Sequence, residues 1–516
     1  MKLYLPQNLD LFTVKEEYPT SIPNAVDKCA YICSLILMSK QYNKDRMDDE
    51  YIPLHSTKLQ KVVNDYKACL DYLVECGIIE INHHYIVGEH SKGYRFTRKY
   101  DTVAVPFTAL KPTFRRKLKQ LENNRIGYTK HLNYITKWLN SNLKINEELA
   151  EQYINLNYNL KTQFPDLRDY DQREKKFKKP ENQFKFSSLV LERLKNEDYT
   201  YAQDRNVYRL HTNLTNMPSI LRNALTYNGK PLISIDIKNS QPYLAILLLV
   251  NCFRLTRRTK PKTELKIDFG RKLRETISTF KSSENVGRNC RSSTFLDNDD
   301  VNSTKSYSKE IDNEDRVNIK DIRLKDQSTY IMLLDQPVSQ SAIDIDLYIE
   351  KVTGGRFYEY LGELFSRELG YEYADRNRVK VEVLKLFFSS NSFISQPDAA
   401  AKREFKKHFP TVYKIFSAVK KKNKADLAIL LQSIESYLML DVIAKRISKE
   451  LPHAPIFSIH DSIATTHEYA DDVERIMNEE LTKAIGIAPR LKREYWKEDH
   501  ILEQMRKLES SINAAG

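Results

Sequence analysis

Two aspartates, each closing a short apolar run rich in β-branched residues, are the groups in this sequence best placed to do chemistry. Asp236 ends the run Leu232–Ile235 and is followed by Ser240, Gln241 and Pro242; Asp461 follows Ile456–Ile459 and His460, and precedes Ser462. Branched apolar residues running up to a polar turn predict strands, with each carboxylate at the rim of a buried sheet. Singly, each is an ordinary turn residue. Side by side, they would hold two Mg2+ ions about 4 Å apart, one activating an attacking oxygen and the other stabilising the leaving oxygen in phosphoryl or nucleotidyl transfer.

Between the aspartates lies the series Arg376, Lys380, Leu384, Phe388, then Ser389. Steps of four residues put two cations and an aromatic on one face of a predicted helix. A nucleoside triphosphate asks for both, cations for its phosphates and a ring to stack on its base. The plainer reading of the stripe is a solvated basic face grading into core.

In this order the segments resemble the family A nucleic-acid polymerases, the group of bacterial DNA polymerase I and the phage-type single-subunit RNA polymerases. Asp236 with Ser240-Gln241 is similar to the first palm motif. Arg376, Lys380 and Phe388 are similar to the fingers-helix pattern Arg-x3-Lys-x7-Tyr-Gly, with Phe for Tyr and Ser389 for Gly. His460-Asp461-Ser462 resembles the palm hairpin His-Asp-Glu or His-Asp-Ser. Three further stretches fall in register: Tyr208–Thr212 with Asn216-Met217-Pro218, Phe405-x3-Phe409-Pro410-Thr411-Val412, and Gln432–Ser436. The resemblance covers roughly residues 205–490.

The resemblance implies a template-directed nucleotidyltransferase, a DNA-directed DNA polymerase acting in DNA replication by a two-metal mechanism. It implies two Mg2+ ions, replaceable by Mn2+, on Asp236 and Asp461, and a catalytic set completed by Lys380 and Arg376. Arg376, Lys380, Phe388 and Gln241 would bind the nucleotide; Arg209, Gln432 and His460 would contact primer and template. The partners implied are a DNA primer-template and nucleoside triphosphates. No exonuclease-like acidic motif set precedes the polymerase-like part, so no proofreading is expected. Pro242-Tyr243 replaces the family's glutamate after Ser-Gln, Phe388 lacks a hydroxyl, and Ser462 matches the RNA polymerase hairpin. A single-subunit RNA polymerase or primase-like enzyme, and a catalytically inactive DNA-binding replication protein, are therefore the alternatives.

The elements that must position these residues follow from pattern. The fold class expected is α+β: a right hand of palm, fingers and thumb with a small antiparallel palm sheet, mostly helical elsewhere, plus an N-terminal winged-helix-like domain. Residues 1–105 carry that domain, with helices through Cys29–Met38, from Ser56 and from Asn64 to Cys76, a Gly77 stop, and strands at Ile78, Tyr85–Gly88 and Gly93–Phe96. Such a unit binds DNA or a protein partner. Residues 106–204 read as a helical, basic, thumb-like region, 205–256 as the first part of the palm, and 257–327 as a flexible polar insertion. Residues 328–425 read as fingers and 426–516 as the second part of the palm. Ser240 is expected to cap the helix after Asp236, with Pro242 just inside it.

Composition narrows the classes. With 516 residues the chain exceeds a single small module, and 82 Lys+Arg against 69 Asp+Glu (net +13) suits a polyanionic partner. The basic runs 115–119, 173–179 and 420–424 read as solvated faces or as nucleic-acid contacts. Six scattered cysteines without a CxxC pair, and no signal peptide at the start, lead to the expectation of a reducing cytoplasm; Cys29, Cys33, Cys69, Cys76, His83 and His84 match no common zinc spacing. The apolar stretch Tyr243–Val250 is too short for a membrane helix, so no membrane partner is expected. A phage or mobile-element setting is suggested only by the reduced architecture.

Overall fold

The computed structural model describes residues 2–42, 51–82, 92–127, 129–171, 176–256, 341–370 and 376–513. The expected insertion 257–327, the strand Tyr85–Gly88, His83, His84 and the start of the basic run 173–179 lie outside the described residues.

In the N-terminal unit the described helices span Leu11–Glu17, Ala25–Tyr42, Ser56–Val62 and Tyr66–Glu75; three antiparallel strands are ordered Ile52–Pro53, Gly93–Phe96, Ile79–Asn82, and Leu3–Pro6 pairs with Ala104–Phe107. The last of these helices ends as its glycine dictates. Gly77 has φ +65°, its amide donates to the Val74 carbonyl, and the Ile78 amide donates back to Leu73. That is a Schellman closure, which only a residue at ease in the left-handed region makes without strain. Leu70, Leu73, Cys29, Cys33 and Cys69 lie in one buried cluster, and the described cysteines are free thiols.

The larger part is built on a six-stranded antiparallel sheet: β1 (Leu143–Ile145), β2 (Leu225–Tyr227), β3 (Lys230–Ile237), β4 (Phe457–Ile459), β5 (Ser462–Thr466) and β6 (Leu491–Tyr495). β3 is central. It pairs with β5 along one edge and with β6 along the other, while its first residues meet β2, which leads on to β1. Segment 106–204 thus supplies an edge strand as well as the helices Glu147–Gln163 and Pro180–Lys195.

Both faces of the sheet are covered. Ile235 and Ile237 pack with α1 (Ser240–Thr256) and α8 (Ala470–Ile485), whereas Leu232, Ala464 and Phe457 pack with Ile154, Val190 and Leu191 of the two long helices. Each fully buried Ile or Leu contributes roughly 1.5–3 kcal/mol. Between α1 and α8 in the chain come α2 (Ser341–Thr353), α3 (Phe357–Leu369), α4 (Arg376–Phe388), α5 (Ala400–His408), α6 (Pro410–Val419) and α7 (Asp426–Ser436), all sharing the same core as α1.

Two sequence expectations need correction. Among the described residues the apolar stretch of membrane length is not Tyr243–Val250 but lies in the 25-residue helix Asp426–Glu450, which holds 18 residues of mean hydropathy 1.6; by length and composition it could cross a membrane, yet most of that stretch is buried inside the protein. Ser240 is not the cap of α1. The Asn239 carbonyl accepts the first helical bond, from the Tyr243 amide, and Asn239 turns the chain through φ +55°, a conformation asparagine tolerates.

Candidate active site

The two aspartates meet at one rim of the sheet. Asp236 faces Ser462 in the β3–β5 ladder, and the amide of Ile237 donates to the carbonyl of Asp461 at 3.4 Å. Asp461 sits in the two-residue turn between β4 and β5, where His460 takes φ +55°. A positive φ at the first turn position matches the right-handed twist of the hairpin and fixes where the next side chain points. Tyr208, Asn239 and His460 all have positive φ and precede Arg209, Ser240 and Asp461.

Electrostatics tie the two carboxylates together. Burial, then the neighbouring Asp461 and Glu494 carboxylates, push Asp236 up to about 8, against the pull of Lys380 and Lys492. Burial also raises Asp461, opposed by its own amide, the Ser240 hydroxyl, Arg209 and Lys380. Lys380 is therefore within electrostatic reach of both. It stands on the exposed side of α4, opposite buried Val379, Val383, Leu386 and Phe387, as the four-residue spacing requires.

The other expected residues fall at different distances from this pair. Arg376 is engaged by α3: its Nε donates to Glu359 at 3.0 Å, and its guanidinium lies 4.8 Å from the centre of the Tyr358 ring. Tyr358, buried and pushed up to about 12 by burial, is lowered by the Arg376 charge and raised by that of Asp461. Phe388 is half-buried at the end of α4, its ring tilted on Phe387 with centroids 6.2 Å apart. Arg209 and Gln241 converge on Glu435, and His460 lies edge-on to His211 with centroids 6.2 Å apart. Gln432 is half-buried, one turn before Glu435 on α7.

Glu435 is the residue the sequence reading missed. Only 2% exposed, it accepts from Arg209 Nε at 2.9 Å and Nη2 at 2.5 Å on one oxygen, and from Gln241 Nε2 at 2.6 Å on the other. Burial raises it to about 7 against the pull of Arg209, and Asp461 adds to the rise. Directly after it, Tyr437–Ala444 winds as a π-helix, and the Leu440 carbonyl accepts from the Tyr134 hydroxyl at 2.9 Å. Wide turns of this kind often accompany functional sites in helices.

Asp204 organises the approach of Arg209. Its Oδ1 accepts the Asn206 and Val207 amides, and its Oδ2 accepts the Arg209 amide at 2.9 Å and His211 Nε2 at 3.2 Å. Burial would push Asp204 up, but His211 and the loop amides outweigh it and hold the carboxyl below its usual range.

The donor set fits a hard divalent cation. Asp236 brings carboxylate oxygens from β3 and Asp461 from the turn before β5, Glu494 adds a third acidic group nearby, and burial opposes the simultaneous ionisation of the two aspartates. A bound cation relieves that conflict, and oxygen-only ligands select Mg2+ over softer metals. A separate group, Glu368, Glu404 and His408, has its ligand atoms within 4.8 Å of one another at the surface, but Lys407 already bridges the two glutamates.

No protein-family profile matches this sequence, and no curated protein matches it. Solved structures do. One is the POL domain of Pol1 from M. smegmatis in complex with DNA primer-template and dNTP, 10% identical, with a TM-score of 0.30, covering 75% of this chain and 73% of that one.

Proposed function

We propose that this site is a nucleotidyl-transfer site, and that the protein is a template-directed DNA polymerase of the family A type. The observation that carries the reading is the pair Asp236, on β3, and Asp461, in the turn before β5, where the Asp461 charge opposes ionisation of Asp236 and Lys380 acts on both. Asp236 and Asp461 would hold Mg2+, or Mn2+ in its place; bound there, the metal supplies electrostatic stabilisation of the attacking and leaving oxygens.

The chain's own residues have distinct parts. Lys380, exposed beside the carboxylates, binds the triphosphate and neutralises charge as the pyrophosphate departs; Arg376 exchanges Glu359 for a phosphate or steadies Tyr358 below it. Phe388 offers a ring edge to the incoming base. Arg209, held from below by Glu435, presents its guanidinium toward the primer end, with His460 and Gln432 alongside. Gln241 Oε1 is buried without a hydrogen-bond partner, an acceptor suited to a sugar hydroxyl. The net charge of +13 suits the primer-template, and the N-terminal unit is read as a DNA- or protein-binding module.

Extension of a labelled primer on a DNA template, with Mg2+ or Mn2+ and either deoxynucleotides or ribonucleotides, tests this. Template-dependent addition of deoxynucleotides is expected. Strict ribonucleotide use without a primer would replace the reading with an RNA polymerase or primase, and DNA binding without incorporation would replace it with a replication protein lacking catalysis.

A further inference from the structure

Two lysines that read as surface residues are buried at the far end of α4. Lys420, the first residue of the basic run 420–424, and Lys402 on α5 are each only 3% exposed, while Lys421, Lys422 and Lys424 face solvent. Fully buried lysines without a carboxylate are uncommon, because desolvating an ammonium costs several kcal/mol.

Their partners are all neutral and all belong to one place. Lys420 Nζ donates to the Leu386 carbonyl at 2.7 Å and to the Ser389 carbonyl at 3.3 Å. Lys402 Nζ donates to the Ser390 carbonyl at 2.7 Å and to Ser389 Oγ at 2.9 Å, and sits 5.7 Å from the centre of the Phe393 ring. Ser389 Oγ donates in turn to the Lys385 carbonyl at 2.5 Å. Unpaired carbonyls and the negative end of the helix dipole collect at a helix C-terminus, which is where cations are most favourable.

We propose that Lys402 and Lys420 are positioning residues that anchor the C-terminal end of α4 to α5 and α6 and thereby fix Phe388 and Lys380 beside the two aspartates. Phe388 immediately precedes the Ser389–Ser390 segment that the two lysines grip, and Lys380 lies two turns back on the same rigid helix. The inference rests on reading the Asp236–Asp461 site as a nucleotidyl-transfer site.

The surroundings make the anchor sensitive to protonation. Burial lowers Lys402 to about 8; burial and then the Lys402 charge lower Lys420 to about 7. Charged groups on the neighbouring elements are engaged elsewhere: Glu382 with Lys385 on α4, Glu404 with Lys407 on α5, and Arg403 with the carbonyls of Ile394 and Gln396. Asp398, before α5, and Asp426, at the start of α7, make no ion pair with either lysine.

The test compares the full-length protein with Lys402→Met, Lys420→Met and Lys420→Arg. Methionine fills the space without a donor; arginine keeps donors. Hydrogen exchange of the amides from 386 to 391 is expected to quicken about tenfold in the methionine variants, with kcat/KM for the incoming nucleotide falling by a similar factor and DNA affinity unchanged. Any change of kcat/KM across pH 7 to 8 that comes from Lys420 should flatten in both Lys420→Met and Lys420→Arg, because neither side chain titrates there, while the level of kcat/KM returns in part in Lys420→Arg. Folded methionine variants with unchanged exchange, or with quickened exchange but unaltered kcat/KM, overturn the anchor while leaving the site reading intact. A wild-type protein that incorporates no nucleotide overturns both.

Discussion

Glu435 receives two N–H groups of Arg209 on a single carboxylate oxygen, at 2.9 and 2.5 Å, on the buried face of α7 beside Leu431 and Ile434. The arginine is 21% exposed and the glutamate 2%, so the pair spans the boundary between core and surface. One end holds Gln241; the other faces primer and template in the proposed reading.

Replacing Glu435 by Ala leaves the guanidinium without its counter-charge and strands Gln241. Urea unfolding is expected to show a loss of about 3 kcal/mol, the low end for a broken buried pair because Arg209 reaches solvent. Glu435→Gln, which keeps an acceptor for Gln241, should lose less. Equal losses would mean that shape, not charge, is what Glu435 supplies.

The buried lysines give stability a definite pH dependence. Their folded values, about 8 for Lys402 and about 7 for Lys420, lie below the ordinary lysine value of 10.5, so the unfolded chain binds more protons in between. Stability should therefore rise with pH from about 7 toward about 10, by up to about 1.4 kcal/mol per pH unit for each lysine. The slope is measured by urea unfolding at stepped pH. Lys420→Met should reduce it, and an unchanged slope in that variant would assign the effect to other groups.

Much of this was legible in the sequence where a periodic signal exists. Ile233 and Ile235 alternating toward Asp236 read as a strand, the His460-Asp461 turn as a hairpin tip, and the steps from Arg376 to Phe388 as one helix face; each depends on local pattern alone. Glu435 was hidden because its partners, Arg209 and Gln241, lie about two hundred residues away in sequence, and one acidic residue in an apolar run carries no period. The pairing of Arg376 with Glu359 is likewise a tertiary contact between α3 and α4. Lys420 was misread because a run of lysines has a surface composition, while its first member turns inward under α4. Asn239 took the cap expected of Ser240 because the left-handed turn it tolerates starts the helix one residue earlier.

Gly77 offers an independent check on the N-terminal unit. A methyl group there meets nothing within 4 Å, so Gly77→Ala carries only the backbone penalty of φ +65°. The expected cost is about 1 kcal/mol. Urea midpoints measure it, and a loss several times larger would indicate a contact that the Schellman closure does not account for.

The most direct measurement compares wild-type protein with Asp461→Asn in single-nucleotide primer extension with Mg2+, alongside DNA binding by anisotropy. The carboxylate removed is a proposed metal ligand and makes no phosphate contact, so incorporation should fall by about a thousandfold or more while DNA affinity stays within about twofold. Incorporation by Asp461→Asn at near wild-type rates would contradict the assignment of Asp236 and Asp461 as the metal-binding pair.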